Sequence, residues 1–241
     1  MATAAADALN DRYYTSPLSR VFDASSTVAE CMDAVLCVIA SVGHAVSSAF
    51  RGLGKDSPAG SSQIADKANT GRSMISLVRT FQSIEALFTL KWLFKRDETG
   101  AATGKLRHPL TVATLLSLIA GRILGFVNNL HNMAAYNLGK HAKHIGHAIT
   151  VCYTALVTFG FIDAIRSYAN AQPGNSSDET VGLIQNTAYL VMHPFECGFG
   201  MGTKAAPALG IAGAVISGLG AIVIIATNIW QFSGFEVEKP A

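Results

Sequence analysis

The stretch Ala206–Phe232 reads APALGIAGAVISGLGAIVIIATNIWQF, 27 residues without one charged side chain. A bilayer core asks for about 20 residues of apolar helix, so this run is long enough to cross. Its glycines would be costly in a helix bathed in water. In lipid, small residues let helix backbones approach closely. Here they fall into two rows at i, i+4 spacing: Ala206, Gly210, Ala214 and Gly218, and beside them Gly213, Ser217 and Ala221. These seven are the candidate helix-packing residues. Trp230 stands near the end of the run, where an interfacial aromatic belongs. The competing reading is a helix buried in a large soluble core.

Upstream, the next apolar run is His144–Ile162, uncharged until Asp163, with helical composition continuing to Tyr168. Before it, Leu110–Ala135 begins apolar, meets Arg122, and then carries Asn128, Asn129, His131 and Asn132. A short break around Gly139 separates the two segments, and short connections join antiparallel neighbours. Pro109 suits a first helical position. Residues 109–169 therefore read as a long helical hairpin.

Val28–Phe50 reads as a helix with Glu30 and Asp33 in its first turns, where acids favour the dipole, and with Ser26 or Thr27 as cap. Its apolar part, Ala34–Phe50, is either a short span or a buried helix. Arg51–Gly71, rich in Gly, Ser and Asp, reads as a linker. In Ser73–Phe94, the residues Met74, Leu77, Val78, Phe81, Ile84, Phe88 and Trp92 recur at helical spacing, away from Ser76, Arg79, Thr80, Ser83 and Glu85. That is an amphipathic helix, ending in Lys91, Lys95 and Arg96. It either lies in a membrane interface or packs on its neighbours. Asp97–His108 reads as a polar loop. Val181–Met192 reads as a short apolar segment broken at His193-Pro194.

Composition agrees with a membrane setting. Charged residues make up 14% of the 241, against about 25% in an average soluble domain, and the mean hydropathy is +0.33. Net charge is only +2, which argues against nucleic acid as a partner. Cys31, Cys37, Cys152 and Cys197 lie in apolar stretches and form no CxxC, so they read as reduced, buried thiols. Residues 1–27 contain Asp7 and Asp11 and no apolar secretory core. They read as a flexible leader, or as an export signal for a non-Sec pathway. The remaining regions divide as 28–108, 109–169 and 170–241. Four Lys/Arg fall in Arg51–Arg72 and four in Lys95–Arg107. The positive-inside rule places both clusters on one membrane face, so helix 73–94 is expected not to cross.

Residues able to carry chemistry are few. His131, His141, His144 and His147 have no Cys or acid nearby in sequence, so zinc ligation is not expected. With Lys140 and Lys143 they read as a basic cluster at the hairpin turn. The interfacial basic set is then Lys91, Lys95, Arg96, Lys140, His141, Lys143 and His144. Arg122 lies inside an apolar helix, and such a charge needs a named partner. Asp163 and Glu85 are the candidates for a buried ion pair. Glu196, Cys197 and His193 form no recognisable triad, and Gly198–Gly202 is no complete nucleotide loop. No catalytic residue, metal site or cofactor is expected, and the chain does not read as an enzyme.

The leader and the two-lobed hydrophobic hairpin, Leu110–Ala135 and His144–Tyr168 around the turn Tyr136–Lys143, resemble the inclusion membrane proteins of chlamydiae. The resemblance covers about a quarter of the chain plus the leader. It implies export by type III secretion, insertion in the vacuole membrane, termini facing the host cytosol and a host protein as partner. Extra hydrophobic segments at 34–50, 181–202 and 206–232 depart from that pattern. Helix 73–94 followed by 110–168 is also distantly similar to peroxisomal membrane-elongation proteins of the Pex11 type, which implies membrane remodelling. A third alternative is a small transporter or channel using an Arg122–acid pair. The expected fold is all-α, a polytopic helical membrane protein of five or six helices and three or four crossings. It would contain one long hairpin and one amphipathic helix, with the lipid bilayer as partner and a homo-oligomer as a further possibility.

Overall fold

A computed structural model of the chain describes residues 17–90, 92–96, 102–132, 135–171, 177–196 and 207–233. Among these, six α-helices carry almost everything: α1 (Pro17–Gly52), α2 (Ala59–Phe88), α3 (Pro109–Asn132), α4 (Ala142–Ala169), α5 (Ser177–Glu196) and α6 (Pro207–Ser233). The exception is an antiparallel ribbon, β1 (Phe94–Arg96) paired with β2 (Ala102–Leu106) in the register Phe94↔Leu106 and Arg96↔Ala102. Among the described residues, four segments are long and apolar enough to cross a membrane: Val28–Gly52, Pro109–His131, Gly139–Ala169 and Gly210–Trp230.

Several boundaries differ from the sequence reading. α1 starts at Pro17, so the last eleven residues of the expected leader are helical. Proline is well placed there because the first helical N–H has no intrahelical acceptor. The expected linker shrinks to a short turn, because α2 begins at Ala59. Gly54 ends α1 with φ +65°, and the N–H of Lys55 donates to the carbonyl of Phe50 at 3.0 Å. That left-handed cap is one glycine adopts at little cost. The helix expected over 73–94 is the second half of α2 and stops at Phe88, where the following ribbon takes part of the expected polar loop 97–108. α5 runs through Pro194 to Glu196 instead of breaking there.

The chain divides into two compact units, one comprising residues up to Ala29 and Ser76–Gly160, the other Glu30–Ile75 and Phe161–Ala241. In the first, the end of α2, the ribbon, α3 and most of α4 follow one another. The N–H of Arg107 donates to the carbonyl of Leu93 at 2.9 Å, bringing the end of α2 to the start of α3. α3 and α4 close as a hairpin where Gly121 faces Cys152 and Tyr153; a Cβ there would lie 3.4 Å from Cys152 Cβ. Gly139 (φ +52°) opens a short 3-10 turn, Gly139–His141, between these arms.

In the second unit, α1 is packed on two sides. Towards α2, Asp33 accepts from Arg72 at 3.0 Å, Leu36 covers Gly71, and Gly43 meets Ser61 and Ala65. The turn between these helices is tied by three hydroxyls, Ser47, Ser57 and Ser61, at 2.6–3.1 Å from one another. Towards α6, Cys37 Sγ donates to the carbonyl of Ser217, Ser41 covers Gly218 and Ser48 covers Gly210. Ala34, Cys37, Met192, Ala221 and Ile224 form the core where α1, α5 and α6 meet. The remaining face of α1 exposes Met32, Val35, Ile39, Val42 and Val46. Large apolar side chains on the outside and serines inside are the polarity of a protein in lipid.

Candidate functional site: the polar seam around Arg122

Most of the polar side chains of α2 from Ser76 onward turn inward. Thr80 and Ser83 are 2% exposed and Gln82 is 8% exposed, while Val78 (46%), Phe81 (54%) and Phe88 (67%) point outward. The inward residues meet α3 along a seam. Arg122 Nη1 donates to Ser83 Oγ at 3.2 Å and to the carbonyl of Arg79 at 3.5 Å. Thr80 Oγ1 donates to the carbonyl of Arg122 at 3.2 Å, and Asn129 Nδ2 to Ser76 Oγ at 2.9 Å. Phe81 and Phe126 meet edge to face, 6.3 Å between centroids. The guanidinium that interrupts the apolar α3 is therefore received by the Ser83 hydroxyl and the Arg79 carbonyl of α2. Arg79 Nε is buried in this region without a hydrogen-bond partner among the described residues.

Asp163 and Glu85 are the two acids expected near Arg122. Asp163, in the second unit, accepts from Nε and Nη2 of Arg166 at 2.9 and 2.7 Å, one turn along α4. Glu85 lies in the last turns of α2, half-buried. Nothing in the sequence pattern marks the Ser83 hydroxyl as an acceptor for Arg122. The amphipathic pattern of α2 held the signal, but the polar side of such a helix is normally assigned to water, and here it faces α3.

Of the small-residue rows, Ala214 (2% exposed), Ser217 (5%) and Ala221 (0%) are buried. Gly210 and Gly218 receive Ser48 and Ser41 of α1, and Gly213 receives Phe195 of α5. Ala206 lies outside the described residues. Gly220, absent from both rows, is equally close-packed: a methyl there would overlap Met192. Among the interfacial bases, Lys95 is exposed on β1, and Lys140, His141, Lys143 and His144 are all exposed around the α3–α4 turn. Lys91 and the side chain of Arg96 lie outside the described residues. His131 Nδ1 accepts from the N–H of Leu138 at 3.3 Å, which makes it a clasp of that turn. Among the described residues no three His, Cys, Asp or Glu side chains are grouped to hold a metal.

These features define a class, an all-α polytopic membrane protein whose polar groups bind one another between helices. No family model matches the chain, and neither the curated proteins nor the solved structures give a significant match.

Proposed function

We propose that this membrane protein is a non-enzymatic component of a pathogen-made vacuole (inclusion) membrane, reached by export and acting through helix packing and partner recruitment. The observation that carries the reading is the two-armed hairpin. Its arms, Pro109–His131 and Gly139–Ala169, are joined by a short basic turn, and only 11% of the apolar window in each is buried within the chain. Such arms leave nearly all their apolar surface for lipid, and the turn and the β1–β2 ribbon offer Lys95, Lys105, Lys140 and Lys143 outside it. The test is localisation of the full chain, epitope-tagged, in infected cells. Staining of the vacuole rim is the expected result; retention in the bacterial envelope refutes the reading.

A second reading, a small transporter or channel, draws on the polar seam around Arg122. Flux through reconstituted liposomes that falls on Arg122→Leu would favour it.

A further inference from the structure

The first half of α2 is out of keeping with its surroundings. α6 has the most apolar of the four candidate spans, and Gly210 and Gly218 hold it against Ser48 and Ser41 of α1, itself a candidate span. The contacts run in opposite senses along the two helices, so they lie antiparallel through the same depth. α2 then runs back along α1, from Ser61 against Gly43 to Arg72 against Asp33. The middle of Val28–Gly52 falls near Ala40, between those contacts, so the α2 residues opposite it are those around Lys67. A polar helix segment is thus carried at the depth of two spans.

Its outward face is mostly hydrophilic, with Ile64 and Met74 as exposed apolar side chains. Gly60, Gln63, Lys67, Thr70 and Met74 follow at alternating steps of three and four and are all exposed, with Asp66 and Ser73 exposed beside them. Gln63, Asp66 and Lys67 make no side-chain hydrogen bond or ion pair among the described residues; Thr70 only bonds back to the carbonyl of Asp66. Acyl chains cannot solvate such a face, and charged side chains at this depth are paired or face water. Amides and hydroxyls facing outward in lipid draw helices together.

We propose that this face of α2 is where two copies of the chain associate, their α2 helices packed about a two-fold axis. Steps of three and four are the spacing of a two-helix seam. Asp66 flanks Lys67, so each copy's ammonium faces the other copy's carboxylate across the axis. The α6 glycines, whose spacing suggests a dimer seam, are already used against α1 and α5 within one chain. The inference goes beyond the proposed function and stands without it.

The test uses the full chain in lipid nanodiscs, with mass measured by light scattering, and in sealed liposomes. The wild type is expected to be a dimer, Asp66→Lys to lose it, and the swap Asp66→Lys with Lys67→Asp to regain it. Thr70→Cys should cross-link to itself under mild oxidation, with the wild type, which keeps its native cysteines, as control. A monomeric wild type, or a dimer indifferent to Asp66→Lys, overturns the proposal. So does Cys labelling at position 70 by a membrane-impermeant maleimide, which would mean that the face meets water instead of a second copy. If charge variants fail to fold, the cross-link and the labelling still decide.

Discussion

Replacing Gly43 by alanine tests the α1–α2 contact with a single methyl group. A Cβ at Gly43 would lie 2.7 Å from the carbonyl oxygen of Ser61, 3.0 Å from Ala65 Cβ and 3.2 Å from Ala65 N. Two of those three atoms are backbone, which cannot turn aside, so the helices must separate by roughly 0.7 Å to restore van der Waals contact. Overpacking of this kind costs about 1–3 kcal/mol. Against it, alanine is preferred to glycine within a helix by about 1 kcal/mol. Gly182→Ala isolates that second effect, because nothing lies within 4 Å of its Cβ position. Gly182→Ala should therefore stabilise by up to about 1 kcal/mol, and Gly43→Ala should fall about 1–3 kcal/mol below it. Unfolding by SDS titration in mixed micelles, followed by circular dichroism at about 222 nm for the helical signal, reads the difference. A Gly43→Ala protein as stable as Gly182→Ala would refute the close approach of α1 and α2.

Three further outcomes follow from the same contacts. Arg122→Leu should cost about 1.5–3 kcal/mol, the range for hydrogen bonds made by a charged group, and Arg122→Lys should recover part of it because one ammonium nitrogen, like Nη1, can donate to both Ser83 and the Arg79 carbonyl; an unchanged unfolding midpoint in the leucine variant would remove Arg122 from the seam. A double-mutant cycle on Arg72→Gln and Asp33→Asn should give a coupling of about 0.5–1 kcal/mol, reduced because both side chains keep about a quarter of their exposure; no coupling would mean the pair does not hold α1 to α2. Pro194→Ala should stabilise α5 by about 1 kcal/mol or more by supplying the missing N–H to the carbonyl of Leu190, and a lowered unfolding midpoint would show that the proline is needed where it stands.

The apolar helices were legible because hydropathy alone sets their limits. Ala206–Phe232, Leu110–Ala135 and His144–Tyr168 correspond to α6, α3 and α4 within a few residues, and the all-α membrane architecture is borne out. What sequence patterning missed depends on packing. In AGSSQIADKANTGR the small residues argue for a linker, yet Ser61, Ala65, Ala68 and Gly71 are what let α2 lie close along α1. Residues 17–27 carry Arg20 and Asp23 and no apolar run, so only their continuity with α1 marks them as helix. The seam shows the same limit. Periodicity separated the two faces of α2, but which face turns inward is decided by its neighbour α3, and no sequence pattern marks Ser83 as an acceptor for Arg122.

Everything above turns on these helices living in a bilayer. Sodium carbonate extraction of membranes carrying the full chain, followed by detergent, addresses it most directly. The protein is expected to stay in the pellet through the alkaline wash and to leave only with detergent. Recovery of the whole chain in the soluble fraction without detergent would contradict it.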